Sequence, residues 1–413
     1  MALAAPDTVS IDMTARCSHL LTLSGQDGPG LAQQLFASLA AQAVEVRDVE
    51  QVRVHGRLLL CVEIDVSAPE ADELSRRLEG TFADDAVEVA LRPIGEHDMT
   101  TTSTRDRHLV TVLAPEIDAA SLAGITARIA ECGANIERIV RLAAYPVHSY
   151  ELVLAGGELT ALRRALATEA VARQVDIAVQ AAGLHRRAKH LIVLDADSTL
   201  LQGEMIDVMA EVAGCGAEVA AITETAMRGE LDFEQALRQR VRLLAGLDRA
   251  GLEVVRQSII PTPGARTLVR TLKRLGYEVA VVSGGFTQII AGIVHELGVD
   301  HLAANVLAID RGALTGELEG PVLDRAGKAS ALVRFARTAG VPLTQTIAVG
   351  DGANDLDMLA TAGLGIAFNA KPLVRDAADT AVNVPYLDAI LFLLGISRDE
   401  VERADELDGV ARP

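Results

Sequence analysis

The stretch that most constrains the fold is residues 190–200, HLIVLDADSTL, in which four consecutive apolar residues run directly into Asp195 and Asp197. An unbroken apolar run predicts a strand buried on both faces, as in a parallel sheet, and open α/β sheets bind ligands at the carboxyl ends of their strands. In an extended chain, residues two apart point to the same side. We therefore expect both aspartates to face one crevice. An ordinary polar turn after a strand is the alternative interpretation.

The C-terminal half of the chain alternates strand and helix patterns, which predicts a doubly wound parallel α/β domain over residues 186–400. Further strands are predicted at residues 278–282, 346–349 and 365–368, with a hairpin around 306–318. A helix over residues 201–213 and a helical block over 217–247 directly follow the first strand. Because this block begins at the carboxyl end of the sheet, we expect it to form a helical cap, about 204–270, over the crevice.

The N-terminal half contains two copies of a βαββαβ pattern, at residues 18–94 and 106–182. In the first copy, Leu31, Leu35 and Leu39 mark the apolar face of its first helix. Each copy is predicted to form a small ferredoxin-like domain.

Composition excludes several classes of partner. The formal net charge is −19, only 3% of residues are aromatic and there is no Trp, so the chain lacks the basic surface and stacking platforms that nucleic acids require. The longest apolar run near the C-terminus, residues 389–396, is too short to span a bilayer, and the N-terminus lacks the pattern of a signal peptide. We expect a cytoplasmic protein that binds neither nucleic acid nor membrane.

Groups suited to phosphate follow other predicted strands. Ser283 and Gly284 come after the strand at 278–282, and Asp351 and Asn354 come after the strand at 346–349. Lys328 opens a helix between them. Asp351 and Asp195 occupy matching strand ends without a nearby Cys or His, and such a hard oxygen site favours Mg²⁺. Each group alone has an ordinary structural explanation, but their joint order is specific.

This order, D-x-D-S-T, then S-G-G, then Lys, then G-D-G-x-N-D, resembles the haloacid dehalogenase-like phosphatase superfamily. The resemblance implies that Asp195 attacks phosphorus to form an aspartyl phosphate and that Asp197 is the general acid and base. It also implies that Mg²⁺ is bound by Asp195, Asp351 and the backbone carbonyl of Asp197. Ser283, Gly284, Lys328 and Asn354 are implied to hold the phosphoryl group.

Two charged residues of the predicted cap narrow the range of possible substrates. Arg240 falls on the apolar face of its helix, and Glu204 stands at the start of another. A charge on an apolar stripe must snorkel, form an ion pair or face a cleft. For Glu204 alone, an equally good interpretation is that its negative charge stabilises the helix by interacting with the positive end of the helix dipole. Together, a carboxylate and a guanidinium over a phosphate site match a zwitterion, with Glu204 for an ammonium group and Arg240 for a carboxylate.

These positions resemble the phosphoserine phosphatase family over residues 185–400, and the first N-terminal copy resembles an ACT domain at its turn Asp27-Gly28-Pro29-Gly30. The second copy has residues 114–118, APEID, where the glycines should be. The resemblance implies the last step of serine biosynthesis, hydrolysis of O-phosphoserine with Mg²⁺, regulation by L-serine at the ACT-like domains, and a homodimer.

Three alternatives stay open at this point. The chain could be another small-molecule phosphomonoesterase or a phosphotransferase. It could also be an amino-acid sensor whose phosphatase domain is inert. The ACT-like copies could be dimerisation or packing modules without a ligand.

Overall fold

The computed structural model describes residues 16–410 except residues 43, 84–85, 96–105, 184–185 and 187. The chain divides into two compact units, Met1–Arg105 and Asp106–Pro413.

The first unit is a four-stranded antiparallel sheet with two helices, as the βαββαβ pattern predicts. Its elements in chain order are Cys17–Gln26, helix Leu31–Ala40, Glu45–Val54, Arg57–Val66, helix Ala68–Thr81 and Val87–Pro93. The spatial order of the strands, numbered by chain position, is 2-3-1-4. Leu31, Leu35 and Leu39 are buried because their fourfold spacing places them on the helix face that packs on the sheet.

The second unit begins with a sheet of the same topology. Its elements are Arg107–Ala114, helix Ala119–Glu131, Ala134–Ala143, His148–Gly156, helix Leu159–Arg173 and Asp176–Ala181. Asp118 caps the first of these helices by accepting a hydrogen bond from the Ser121 amide at 2.7 Å.

The rest of the second unit is built on a seven-stranded sheet. Its strands in spatial order are Ala313–Glu319, His301–Asp310, Glu278–Phe286, Leu191–Asp195, Thr346–Gly350, Gly365–Phe368 and Thr380–Val382. All neighbours pair in parallel except the first two, which form the predicted hairpin. The strand Leu191–Asp195 is central and buried at every position, as its apolar run predicts. The doubly wound fold class is therefore confirmed.

Helices precede and follow these strands in the chain. The cap comprises Met205–Ala213, Gly216–Met227, Phe233–Leu243 and Arg249–Ser258. The other helices are Ala265–Arg274, Thr287–Leu297, Arg325–Thr338, Leu356–Thr361, Pro372–Ala377, Ile390–Leu393 and Arg398–Leu407. No helix among the described residues is long and apolar enough to cross a membrane.

The structure corrects two expectations and adds one strand. The first cap helix begins at Met205 and not at residue 201, because an irregular turn, Ala196–Leu200, follows the central strand. The strand at 278–282 continues through the glycines to Phe286, and its helix begins at Thr287. A short edge strand, Thr380–Val382, was not anticipated.

The second ACT-like sheet shares a hydrophobic core with the large sheet within this unit. Leu113, Leu142 and Val147 belong to the same hydrophobic core as the central strand. Polar contacts add to this packing: Gln180 donates to the carbonyl of Leu393 at 2.9 Å, and Arg186 forms a buried ion pair with Glu151. These two parts of the chain therefore share one core.

Candidate active site

Asp195 ends the central strand, and Asp197 lies in the turn that follows. The strand stops at Asp195, so the expectation that both aspartates lie on one extended strand is wrong. Ser198, at a φ of 55°, is left-handed, and this turn brings Asp197 back toward the crevice. Both carboxylates line one cavity of about 490 Å³ at the carboxyl end of the sheet.

Three buried or half-buried carboxylates gather at the floor of this cavity. One oxygen from each of Asp195, Asp351 and Asp355 lies within 4.8 Å of the others. The ammonium group of Lys328, which is 1% exposed, lies 2.7 Å from both Asp195 and Asp355. Thr199 donates a hydrogen bond of 3.2 Å to Asp351. One lysine against three carboxylates leaves a surplus of negative charge around hard oxygen donors, which fits a divalent cation such as Mg²⁺.

The electrostatics of the cluster agree with this description. Burial raises the pKa of Asp195 well above its usual value, although Lys328 opposes the rise. Burial, with Asp355 and Glu204 nearby, raises the pKa of Asp351 to about 6. Burial lowers the pKa of Lys328, but the attraction of Asp195 and Asp355 outweighs it and the net direction is upward. Lys328 therefore stays charged.

Asp355 has less freedom than the other two carboxylates. It is fully buried, one of its oxygens accepts from Lys328, and the other accepts from the Gly352 amide at 3.0 Å. Asp195 and Asp351 keep oxygens directed at the cavity, whose lining includes both. Asp355 therefore serves best to hold Lys328 and the Gly352 loop in position beside the other two carboxylates.

Asp197 is separate from this cluster. Its carboxylate accepts hydrogen bonds from the Met205 amide at 2.8 Å and from the Ser283 hydroxyl at 3.4 Å. Burial, together with the nearby Glu204, raises the pKa of Asp197 to about 7. A carboxyl group with this pKa can both give and take a proton near neutral pH.

The neighbouring strand end carries Ser283 and Gly284. Ser283 is fully buried and its hydroxyl accepts from the Gly285 amide at 2.8 Å. Asn305 donates to the Gly284 carbonyl at 2.8 Å and holds this segment in place. Gly284 and Asn354 both line the cavity.

The cap supplies two opposite charges to the same cavity, because Glu204 and Arg240 both line it. Glu204 accepts a hydrogen bond of 3.2 Å from Ser198. Arg240 donates to the carbonyl of Ala236 at 3.3 Å and to the hydroxyl of Thr223 at 3.5 Å, and no carboxylate of the described residues lies within ion-pair distance of it. Burial lowers the pKa of Arg240, although Glu204 opposes this. The guanidinium is thus half-buried and unpaired.

Sequence reasoning missed several residues that line the cavity, among them Thr223, Lys371 and Leu373. Thr223 stands on the cap helix that faces Arg240, and Lys371 and Leu373 follow the strand Gly365–Phe368. The position of Lys371 just after a buried strand was the available signal, since polar groups at strand ends recur throughout this site.

Comparison with known proteins agrees with the fold. The family model of haloacid dehalogenase-like hydrolases matches residues 192–360, and ACT domain models match residues 19–91 and 106–180. The chain is therefore a haloacid dehalogenase-like hydrolase preceded by two ACT domains.

Relatives that match over nearly the whole chain show which family of these hydrolases the chain belongs to. The chain is 54% identical to a phosphoserine phosphatase of Streptomyces coelicolor, over 95% of this chain and 97% of the relative. It is 46% identical to a phosphoserine phosphatase of Mycobacterium tuberculosis, over 97% and 98%. The crystal structure of a probable phosphoserine phosphatase from Vibrio cholerae superposes with a TM-score of 0.58 at 34% identity, over 75% of this chain and 93% of that one. The chain belongs to the phosphoserine phosphatase family, whose members are phosphomonoester hydrolases.

Proposed function

We propose that this enzyme hydrolyses O-phospho-L-serine to L-serine and phosphate, the last step of serine biosynthesis. The observation that carries the proposal is the unpaired guanidinium of Arg240, which lines the same cavity as Glu204 and Asp195. A substrate with a carboxylate, an ammonium group and a phosphate matches these three places. A substrate without a carboxylate would leave Arg240 half-buried and unpaired.

Asp195 is proposed as the nucleophile. Its oxygen attacks phosphorus, the bond from phosphorus to the serine oxygen breaks, and an aspartyl phosphate forms. The ammonium group of Lys328 lies 2.7 Å from Asp195 and favours its carboxylate form, against the rise in pKa that burial causes. Ser283, Gly284, Lys328 and Asn354 are proposed to orient the phosphoryl oxygens.

Asp197 is proposed as the general acid and base. In its protonated form it gives a proton to the serine oxygen that leaves, and the resulting carboxylate then takes a proton from the water that attacks the aspartyl phosphate. Its raised pKa of about 7 makes both protonation states accessible. The hydrogen bonds from Met205 and Ser283 fix the carboxyl group beside the nucleophile.

A magnesium ion is the proposed cofactor. Asp195, Asp351 and the backbone carbonyl of Asp197 would hold Mg²⁺, which supplies positive charge to offset the phosphate and the nucleophile when it is bound. The surplus of carboxylates over Lys328 supports this proposal.

A phosphate-release assay tests the proposal. The substrates are O-phospho-L-serine and other phosphorylated metabolites, each with Mg²⁺ or with a chelator, and added acceptor alcohols detect phosphotransfer. We expect Mg²⁺-dependent release that is fastest with phosphoserine and absent in Asp195→Asn. A different preferred substrate, transfer to an alcohol, or full activity of Asp195→Asn would contradict the proposal.

We further propose that L-serine regulates the enzyme at the first ACT domain. Gly30, at a φ of 100°, adopts a left-handed conformation at the turn that precedes the first helix, and an added Cβ on Gly28 would meet no atom within 4 Å. The backbone there is therefore open to a small ligand. We expect the Arg240→Ala variant, with its active site impaired, still to bind labelled L-serine in equilibrium dialysis. Complete loss of binding in that variant would place all serine in the active site.

The domain boundaries 18–94, 106–182 and 186–400, a homodimer and a cytoplasmic location remain proposals. Limited proteolysis with mass analysis of the fragments and the molar mass in solution test the first two.

A further inference from the structure

The strand Glu278–Phe286 is irregular where it reaches the active-site cavity. Its pairing with the neighbouring strand passes from Ser283 directly to Phe286, so Gly284 and Gly285 have no residue opposite them. Both glycines line the cavity. Such a bulge interrupts the ladder of backbone hydrogen bonds, so other contacts must fix the position of this segment.

The side chain of Asn305, on the neighbouring strand, supplies one of these contacts. Asn305 is 4% exposed, and its Nδ2 donates to the carbonyl of Gly284 at 2.8 Å. Its Oδ1 accepts a hydrogen bond from the backbone amide of Leu323 at 2.8 Å. A carbonyl can only accept and an amide can only donate, so these two partners define the orientation of the side chain. One buried side chain therefore joins two distant segments of backbone.

The first of these segments contacts the proposed general acid and base. The hydroxyl of Ser283 accepts from the Gly285 amide at 2.8 Å and donates to the carboxylate of Asp197 at 3.4 Å. An added Cβ on Gly285 would lie only 3.0 Å from that carboxylate. A shift of the bulge would therefore move the Ser283 hydroxyl and disturb the surroundings of Asp197.

The second segment leads to the lysine of the site. Leu323 directly precedes Asp324, whose side chain caps helix Arg325–Thr338 by accepting a hydrogen bond of 2.7 Å from its first turn. The carbonyl of Asp324 accepts from the amide of Lys328 at 2.9 Å. The ammonium group of Lys328 lies 2.7 Å from the proposed nucleophile, Asp195. The contact at Leu323 thus fixes the start of the helix from which Lys328 extends.

We propose that Asn305 is a positioning residue that sets the distance between the two sides of the phosphate site. Ser283 and Gly284 form one side and Lys328 forms the other. Asn305 does not itself line the cavity, so it acts through these groups. This role rests on the proposed function, in which the same groups hold the phosphoryl oxygens. Loss of Asn305 should therefore weaken every phosphate ligand alike, whatever the cap recognises.

Calorimetry on the full-length protein with Mg²⁺, with inorganic phosphate as the probe, tests this role. Asn305→Leu keeps a side chain of similar size and removes both hydrogen bonds. The Gly284 carbonyl and the Leu323 amide then lose their partner in a buried place and must shift to find another. We expect the Kd for phosphate to rise by about tenfold or more. An unchanged Kd would overturn the proposal.

Gln180→Leu is the matched control. Gln180 is 8% exposed and donates to the backbone carbonyl of Leu393 at 2.9 Å, and it does not line the active-site cavity. Both variants should be less stable than the unaltered protein in urea denaturation, because each leaves a buried carbonyl without its donor. Only Asn305→Leu should weaken phosphate. Equal weakening in Gln180→Leu would show a general loss of stability and contradict a role in positioning.

A comparison of two substrates separates this role from that of the cap. The kcat/KM of Asn305→Leu should fall by the same factor for O-phospho-L-serine and for phosphoethanolamine, which has no carboxylate. A loss confined to phosphoserine would place the effect at the cap and refute the proposal. If the unaltered enzyme hydrolyses neither ester, the proposed function fails, and the calorimetric comparison still decides the role of Asn305.

A double-mutant cycle tests whether Asn305 acts through the groups it positions. Asn305→Leu should raise the Kd for phosphate by a smaller factor in the Ser283→Ala background, about threefold or less, because the hydroxyl that it helps to place is already gone. Equal factors in the two backgrounds would mean that Asn305 acts independently of Ser283, against the proposal.

A second variant keeps the proposal testable if Asn305→Leu does not fold. Asn305→Asp preserves the shape of the side chain and the oxygen for the Leu323 amide, and it loses only the donor to the Gly284 carbonyl. We expect its Kd for phosphate to rise by about threefold or more, and by a smaller factor in the Ser283→Ala background. Phosphate binding equal to that of the unaltered protein would overturn the proposal, as would the absence of phosphate binding by the unaltered protein.

Discussion

Replacement of Arg240 by alanine tests how the cap selects its substrate. The guanidinium uses two of its groups on the carbonyl of Ala236 and the hydroxyl of Thr223, at 3.3 and 3.5 Å, and keeps the rest for the cavity. Burial already lowers its pKa, which shows that water screens it only in part. A carboxylate bound there would therefore form a charge-assisted contact in a partly dry site.

The magnitude follows from that environment. Removal of one partner of a buried, hydrogen-bonded charge pair costs about 2–4 kcal/mol, at the lower end of the range for such pairs because the cavity is open to solvent. This corresponds to a loss of about 30- to 1,000-fold in kcat/KM for O-phospho-L-serine. Phosphoethanolamine has the phosphate and the ammonium group but no carboxylate, so its kcat/KM should change by less than about threefold.

The assay measures phosphate release for both substrates with the unaltered enzyme, Arg240→Ala and Arg238→Ala. Arg238 lies on the same helix and pairs with Glu234 at 2.7 Å, away from the cavity, so its variant controls for changes in the helix itself. Equal losses on the two substrates in Arg240→Ala, or an equal loss in Arg238→Ala, would refute the assignment of Arg240 to the carboxylate.

Three further predictions concern the floor of the cavity. Lys328→Met should lower the free energy of unfolding by about 3–5 kcal/mol at alkaline pH, since buried carboxylates such as Asp195 lose their cation. Urea denaturation measures this free energy, and a change below about 1 kcal/mol would contradict the prediction. Because burial and neighbouring acids raise the pKa of Asp351 to about 6, protons compete with Mg²⁺ below that pH. The Mg²⁺ dissociation constant from calorimetry should therefore rise as the pH falls through about 6, and a flat profile would refute it. Gly285→Ala should reduce kcat sharply, because the new Cβ would lie 2.1 Å from a methionine methyl group and 3.0 Å from the carboxylate of the proposed acid, whereas Gly292→Ala, with nothing within 4 Å, should leave kcat unchanged in the same assay. Equal kcat values for these two variants would contradict the prediction that a Cβ at position 285 displaces its neighbours.

Much of the fold could be predicted from the sequence because it rests on local patterns. The run at residues 191–194 and the spacing of Leu31, Leu35 and Leu39 each report burial directly, and the structure confirms both. The three-residue strand Thr380–Val382 could not be predicted, since it is too short to show a period and exists only because it pairs with Gly365–Phe368.

In the candidate site, too, some features have a local sequence signal and others depend on the three-dimensional structure. Asp195 and Asp351 were predicted to meet because each follows a buried strand of one parallel sheet. The turn that aims Asp197 depends on the left-handed Ser198, which no periodicity signals. Lys371 lies in the loop after its strand and lines the cavity, and such a position depends on tertiary packing.

The packing of the second ACT domain on the catalytic sheet also had no local signal. Leu142 and Val147 are buried by residues far along the chain, and Asp176 accepts hydrogen bonds of 2.6 Å from both the amide and the side chain of Asn383. Burial raises the pKa of Asp176, as is usual for a carboxyl group removed from water. Contacts at this sequence separation emerge only from the three-dimensional structure.

The central claim is that the phosphoryl group passes through a covalent bond to Asp195. The most direct measurement is the mass of the peptide that contains Asp195 after the enzyme is mixed with O-phospho-L-serine and quenched in acid within one turnover. The account predicts one added phosphoryl group on this peptide, lost on longer incubation and absent in Asp195→Asn. Phosphate release at full rate with no phosphoryl group on this peptide, or with the group on another residue, would contradict it.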